Sequence, residues 1–148
     1  AGTDRRGAAA LSGWVLDASL ALAWGLPDES SSRAERFLRE LAPQTPLWVP
    51  SLWWYEVANA LLAAERRKRL SEADGLRLLE LYRSLPLETD AAGGPEAVWR
   101  LRALGREHGL SAYDAAYLEL AARRQAGLAS LDKALVLAAR KAGVRTLA

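Results

Sequence analysis

Short apolar runs alternate with longer helical patterns along most of the chain, and this alternation is its main structural signal. Runs rich in Val, Leu and Trp predict strands, whereas apolar residues that recur every three or four positions predict helices. The predicted strands span 14–18, 47–49, 85–88, 128–131 and 144–147. The predicted helices span 30–41, 52–69, 71–84, 95–108, 111–125 and 132–142. Strands that alternate with helices indicate an α/β sandwich with a mainly parallel sheet.

Boundary residues support several of these helices. Ser71 and Asp74 form the S-x-x-D pattern of a capping box. Pro95 suits the first turn of a helix, and Gly109 and Gly143 suit positions where helices end. The helices at 71–84, 95–108 and 132–142 are therefore predicted from both their periodicity and their ends.

The totals describe one globular domain. The 148 residues are 51% hydrophobic and 26% charged, which is ordinary for a globular protein. We expect residues 1–13 to be a flexible head or an artificial extension without the apolar segment of a signal peptide, and residues 14–148 to form the domain. No apolar run is long enough to span a membrane. The absence of cysteine is compatible with a reducing compartment, and we expect a cytoplasmic protein.

Carboxylates that stand alone in apolar segments are the main chemical signal. They are Asp17, Glu56, Asp114 and Asp132. Most other acids, such as Glu35 and Glu107, have an Arg or a second acid within two residues and are typical of a solvated surface. A buried carboxylate destabilises the fold unless it is paired, hydrogen-bonded or bound to a cation. With no cysteine and one histidine, the chain favours a divalent cation held by oxygen ligands.

The predicted fold brings these acids to one edge of the sheet. Asp17 and Asp132 each follow a predicted strand, and ligands gather at the carboxyl ends of parallel strands. Asp114 falls in the first turn of its helix, and Glu56 in the first or second turn of another. If both helices start at the same edge, all of these carboxylates converge.

Each acid also has a structural alternative. Asp17 and Asp132 could be N-caps of the helices that follow them. Asp114 could be only the partner of Ser111 in a capping box, as Asp74 is for Ser71. Glu56 has no capping role, so its alternative is a buried ion pair. One shared site explains all of them more simply than separate explanations do.

The ordered acidic motifs resemble those of PIN-domain nucleases, and most closely those of the VapC toxins of bacterial toxin–antitoxin pairs. The resemblance extends from Val15 to about Val144. The segments that carry it are VLDAS at 15–19, VPSLW at 49–53, EVANAL at 56–61, LSAYDAAYL at 110–118 and LASLD at 128–132. Each fragment alone is weak evidence for the family, whereas all of them in this order and at these separations are specific evidence.

The resemblance implies a fold, an activity and partners. The fold is a three-layer α/β/α sandwich, and the activity is that of a ribonuclease dependent on Mg²⁺ or Mn²⁺. The partners are an RNA substrate, a cognate antitoxin and a second copy of the chain in a homodimer. The family's catalytic and metal-binding acids fall on Asp17, Glu56, Asp114 and Asp132. Supporting polar residues fall on Ser19, Ser111 and Ser130, and Asn59 projects from the same helical face as Glu56.

Two other functions fit the same motifs. One is a PIN-like module that binds RNA or protein without cleavage, and the complete set of acids argues against it. The other is an RNA-processing PIN nuclease with no antitoxin. A neighbouring gene for a small DNA-binding protein would favour the toxin.

Candidate binding surfaces come from a basic cluster and from tryptophans. The net charge of +2 is nearly balanced, so RNA contacts require a local basic patch. The cluster Arg66, Arg67, Lys68 and Arg69 is such a patch, although cations at a helix end also complement its dipole. Trp48, Trp53 and Trp54 could form a partner-binding surface or could be core. We expect Trp14, Trp24 and Trp99 to be core.

Overall fold

A four-stranded parallel sheet lies at the centre of the computed structural model, which describes residues 12–29 and 31–147. The strands are β1 (Trp14–Leu16), β2 (Leu47–Pro50), β3 (Leu87–Asp90) and β4 (Gly127–Ala129). Their order across the sheet is β3-β2-β1-β4, and all three pairings are parallel. The predicted head lies outside the described residues except for Ser12 and Gly13.

Helices connect these strands and cover the sheet. They are α1 (Ala18–Leu22), α2 (Ser32–Glu40), α3 (Ser51–Arg66), α4 (Glu72–Ser84), α5 (Pro95–His108), α6 (Ala112–Arg124) and α7 (Lys133–Lys141). A short 3-10 turn at Pro27–Glu29 follows α1. Ser30, the predicted start of α2, lies outside the described residues, and Ser31 caps that helix by accepting a hydrogen bond from the Ala34 backbone N–H. No helix in the described part of the chain has the length and apolar character needed to cross a bilayer.

The predicted three-layer α/β/α sandwich with a parallel sheet is confirmed. Strand residues on both faces of the sheet are buried, including Val15, Leu16, Val49 and Leu128. This explains why β1, β2 and β4 are continuous apolar runs rather than alternating patterns, because helices cover a parallel sheet on both sides. The edge strand β3 is more polar and less buried.

The predicted end of α5 at Gly109 and the predicted start of α6 near Ser111 are confirmed, and together they position Asp114. Gly109 adopts a left-handed conformation, with φ of 65°, and ends α5 after His108. Ser111 then caps α6 by accepting a hydrogen bond from the Asp114 N–H at 3.1 Å. Asp114 therefore lies in the first turn of α6.

The predicted strands differ from the structure in their limits. Those predicted at 14–18 and 128–131 each end two residues earlier, at Leu16 and Ala129. The last one, at 144–147, is reduced to a single bridge between Leu128 and Thr146. The third lies two residues later than predicted, because Leu85 still caps α4 and Pro86 has no N–H to donate to a sheet. The five-residue helix α1 was not predicted, since it is too short to show helical periodicity.

Candidate active site

Asp17 is a buried carboxylate at the carboxyl end of β1. Only 6% of the residue is exposed, and its Oδ2 accepts hydrogen bonds from the hydroxyls of Ser19 at 2.7 Å and Ser130 at 2.6 Å. Asp17 occupies the N-cap position of α1, but its side chain makes no capping hydrogen bond, so capping does not account for this buried carboxylate. Burial raises the pKa of the Asp17 carboxyl, and the two serine hydroxyls oppose this rise.

Ser130 connects Asp17 to Asp132. The buried Ser130 hydroxyl donates to Asp17 and accepts the Asp132 backbone N–H at 3.0 Å. Asp132 is exposed and caps α7, with Oδ1 accepting the Leu135 N–H at 2.9 Å. The capping alternative is therefore confirmed for Asp132. Its negative charge nevertheless reaches the site, because it contributes to the raised pKa of Asp17.

Glu56 is held by a tyrosine from another helix. The Tyr117 hydroxyl, on α6, donates to Glu56 Oε1, on α3, at 2.6 Å. Glu56 is half-buried, and burial raises the pKa of its carboxyl. The Tyr117 hydrogen bond lowers this pKa, whereas the negative charges of Asp17 and Asp114 raise it further.

Asp114 differs from Asp74 although both take part in the same capping geometry. The Ser71 and Ser111 hydroxyls each accept the N–H of the acid three residues later at 3.1 Å. Asp74 forms an ion pair with Arg77 on the surface. Asp114 instead lies among other acids, and its pKa is raised by burial and then by the charges of Asp132 and Asp17. Capping accounts for the position of Asp114 but leaves its carboxylate without a cation.

The predicted acids thus converge around Asp17. The negative charge of Asp17 raises the pKa of Glu56 and that of Asp114. The negative charge of Asp132 raises the pKa of Asp17. None of these carboxylates forms an ion pair with Arg, Lys or His within residues 12–29 and 31–147. Within the described part of the chain, the negative charge of the site is therefore uncompensated.

The donor atoms suit a hard cation. Carboxylate and hydroxyl oxygens are the ligands that Mg²⁺ and Mn²⁺ prefer, and no cation among the described residues pairs with the buried Asp17 carboxylate. In the part of the chain that the structure describes, no three Asp, Glu or His side chains are already grouped to hold a metal ion. Binding would therefore use water-bridged ligands or bring the mutually repelling carboxylates closer together.

The family model of the PIN domain matches residues 14–141. This chain belongs to the PIN-domain family. The match begins at β1 and ends at the last residue of α7, so it includes every acid of the candidate site.

Relatives of this PIN domain include ribonucleases named VapC. Ribonuclease VapC9 of Mycobacterium tuberculosis is 37% identical over 119 residues, covering 80% of this chain and 84% of the relative. Ribonuclease VapC3 of Pyrobaculum aerophilum is 34% identical over 125 residues, covering 82% and 90%. The predicted membership of the VapC group is confirmed.

Solved structures support the same fold. The crystal structure of PAE2754 from Pyrobaculum aerophilum matches with a TM-score of 0.66 at 24% identity, over 93% of this chain and 85% of that chain. A toxin–antitoxin complex from Klebsiella pneumoniae matches with a TM-score of 0.55 at 16% identity, over 81% and 86%. At these identities the likeness concerns the fold alone.

The basic cluster predicted to bind RNA lies away from the acids of this PIN domain. Arg66, Arg67, Lys68 and Arg69 are at the C-terminal end of α3 and just beyond it. Arg66 is ten residues after Glu56, which corresponds to about 15 Å along a helix. Arg69 also pairs with Asp28 at 3.4 Å. The structure does not bring this cluster to the candidate site.

The tryptophans divide between core and surface in a way that the sequence did not predict. Trp53 is fully buried and packs against Tyr82, so it offers no surface to a partner and its assignment to a partner-binding surface is corrected. Trp54 is partly exposed and donates through Nε1 to Thr89. Trp48 is half-buried, and the Arg124 guanidinium carbon lies over its ring, 4.2 Å from the ring centroid. Trp99, expected in the core, is 73% exposed because it lies on the outer face of α5.

The supporting residues differ in how directly they reach the acids. Ser19 and Ser130 bond to Asp17, and a Ser111 hydrogen bond lowers the pKa of Asp114. Asn59 is exposed and makes no side-chain hydrogen bond within the described residues.

Tyr117 was not predicted as a site residue. It is almost fully buried, and burial and the bond to Glu56 raise the pKa of its phenol, so it remains a hydrogen-bond donor. The available signal was its spacing, because Tyr117 is one helical turn after Asp114 and so lies on the same face of α6.

Proposed function

We propose that this PIN domain is a metal-dependent endoribonuclease and the toxin of a toxin–antitoxin pair. The observation that carries the proposal is the convergence of Asp17, Glu56, Asp114 and Asp132 without a cation from residues 12–29 or 31–147. Relatives named ribonuclease VapC, at 34–37% identity over most of the chain, support RNA as the substrate.

The cation in this proposal is Mg²⁺ or Mn²⁺. Asp17, Asp114 and Asp132 would hold it, and Asp132 can do so through Oδ2 because Oδ1 already caps α7. When bound, such a cation offsets charge on the phosphoryl oxygens and makes water a better nucleophile at neutral pH. Ser19 and Ser130 would fix the orientation of Asp17 while it binds.

Glu56 is the proposed general base. Its pKa is raised by burial, and a carboxylate with a raised pKa accepts a proton more readily near neutral pH. It would orient the attacking water and take its proton as the oxygen bonds to phosphorus. The P–O3′ bond then breaks, leaving a 5′-phosphate and, after protonation, a 3′-hydroxyl.

The partners follow from membership of the VapC group. A cognate antitoxin would restrain the nuclease by covering or occupying its site. The homodimer and the cytoplasmic location expected from the sequence stay predictions.

The direct test is cleavage of an RNA panel by the purified protein with Mg²⁺, with Mn²⁺ or with EDTA. We expect cleavage with either cation and none with EDTA, and none with Asp17→Asn or Asp114→Asn. Full cleavage in EDTA would contradict the metal requirement, and equal cleavage by all variants would indicate a contaminating nuclease.

Expression in a bacterial host tests the toxin assignment separately. We expect growth arrest by the wild type and normal growth with either variant at equal protein levels. Arrest by all three proteins would show that toxicity does not depend on the acidic site.

A further inference from the structure

A basic cavity adjoins the acidic site on the side of α2 and α7. It has a volume of about 330 Å³ and is lined by cationic side chains from both helices, namely Arg33, Lys133 and Arg140. Among the residues that the structure describes, no acidic side chain lines it, and apolar residues such as Leu137 complete its wall. The cavity therefore combines positive charge with apolar surface, as a site for a phosphate and its sugar does.

Ser130 links the cavity to the acidic site. This residue lines the cavity, and its hydroxyl also donates to Asp17 at 2.6 Å. Lys133 directly follows Asp132, so the acid and the first cation of α7 are neighbours in the chain. A molecule in the cavity would thus contact Ser130, whose hydroxyl bonds directly to Asp17.

Other cations are less suited to hold a strand at this site. Arg123 is bound to Asp90 and Glu119, and Arg124 lies over Trp48 and pairs with Asp90. The Arg66–Arg69 cluster is at the far end of α3. In contrast, the Arg140 guanidinium uses Nε to donate to Thr146, which leaves its terminal nitrogens for a ligand.

We propose that this cavity binds the backbone phosphates of single-stranded RNA next to the phosphodiester that is cleaved. The inference rests on the proposed nuclease function and gives it a substrate path. A polyanion that crosses the acidic site requires nearby cations, since phosphate neutralisation dominates the affinity of proteins for nucleic acids. Lys133 and Arg140 would contact phosphates, and the apolar wall would contact a ribose or base.

The test measures RNA affinity apart from cleavage. Binding of a fluorescein-labelled, mixed-sequence single-stranded RNA is followed by anisotropy in EDTA over a series of salt concentrations. The variants are Lys133→Gln and Arg140→Gln, with Lys141→Gln as a matched control because it is an exposed cation on α7 outside the cavity. Thermal melting of each variant verifies its folding.

We expect each cavity variant to weaken binding severalfold and to reduce the slope of log affinity against log salt by about 0.7, the value for one phosphate contact on a single strand. Lys141→Gln should change neither quantity. Equal losses in all three variants, or no loss in the cavity variants, would overturn the inference. Loss of labelled polyglutamate binding in the cavity variants, with RNA binding intact, would assign the cavity to an acidic protein segment and would also overturn it.

Cleavage in Mg²⁺ separates this inference from the proposed function. Wild-type protein that binds RNA through the cavity without cleaving it would contradict only the nuclease function. Wild-type protein that cleaves RNA, with cavity variants of unchanged affinity, would contradict only the cavity assignment.

Discussion

Asp17 and Asp90 lie at the carboxyl ends of two parallel strands, yet their surroundings are opposite. Asp90 is bound by Arg123 and Arg124 from the end of α6, and Arg123 also bonds to Glu119 at 2.8 Å. Asp17 is more deeply buried, but its described hydrogen-bond donors are Ser19 and Ser130 rather than a cation, and it lies among other acids. The sheet edge therefore contains one carboxylate that is neutralised by the protein and one that is not.

The pKa directions follow from this difference. The Arg123 hydrogen bond holds the pKa of Asp90 below its ordinary value, although burial opposes the effect. Burial raises the pKa of Asp17. Asp90 is paired with arginines and is explained as part of the fold. Asp17 has no such partner among the described residues, so its carboxylate is available for a cation from solution.

Substitution by asparagine should separate these two roles most strongly. We expect Asp17→Asn to lower RNA cleavage by about a thousandfold, or about 4 kcal/mol of transition-state stabilisation, because a cation ligand is lost. Its melting temperature should not fall, since a buried charge disappears. Asp90→Asn should retain activity but unfold more easily, by about 1 kcal/mol, because Arg123 loses its charged partner. Cleavage rates and urea denaturation measure both effects.

The comparison would fail if the two variants behaved alike. A large loss of activity in Asp90→Asn would mean that the Arg123 network supports catalysis. A large loss of stability in Asp17→Asn would mean that Asp17 is mainly structural.

Much of the fold could be predicted because apolar periodicity and helix-end residues in the sequence agree with how the helices and strands pack. The left-handed position that ends α5 favours glycine, here Gly109, and Pro95 favours a first helical turn, so the limits of α5 were predicted correctly. The strand predicted at 144–147 was wrong because the prediction used only the local apolar pattern. A strand also requires pairing with a neighbour, and this segment pairs with β4 at a single bridge. The prediction that Trp99 lies in the core was wrong for a similar reason. Tryptophan favours burial, but Trp99 lies on the solvent-facing side of its helix.

The acids could be predicted from their isolation, but their partners could not. Sequence alone could not decide whether Asp17 caps α1, because capping depends on the orientation of the side chain. The contact between Tyr117 and Glu56 joins residues 61 positions apart and depends on how α3 and α6 pack. The basic cavity likewise requires α2 and α7 to be neighbours, although they are distant in the chain.

Two buried tyrosines test whether the polar partners of the acids matter for catalysis. Tyr117 donates to Glu56, whereas Tyr82 donates to the Ala21 carbonyl at 2.8 Å and is similarly buried. Replacement of either by phenylalanine should destabilise the protein by about 1 kcal/mol. We expect only Tyr117→Phe to lower kcat, by about tenfold, because Glu56 loses its orientation.

The pH–rate profile provides a further measure of the Tyr117 contact. The hydrogen bond lowers the pKa of Glu56, so its removal should raise that pKa and move the acidic limb of the profile to higher pH. Tyr82→Phe should leave the profile unchanged. Identical profiles for both variants would show that Tyr117 is only a packing residue.

The pH dependence of stability should show the smallest effect and also distinguishes the two kinds of carboxylate. In EDTA, the folded pKa values of Asp17 and Asp114 lie above their ordinary 3.8. The folded state then binds more protons than the unfolded state, so stability falls as pH rises from 3.8 through the folded pKa values. Asp90 has the opposite sign, and its stabilisation is complete above 3.8 and is lost as pH falls through its lower folded pKa.

Urea midpoints across this pH range, with and without Mg²⁺, measure these contributions. Asp17→Asn should reduce the fall in stability at rising pH, whereas Asp90→Asn should reduce the loss on acidification. Mg²⁺ should stabilise the wild type increasingly as pH rises, because a cation binds the ionised carboxylates and not their protonated forms. If Asp17→Asn and the wild type showed the same pH dependence and the same response to Mg²⁺, Asp17 would already be neutralised within the fold. The contrast with Asp90 would then have no physical basis.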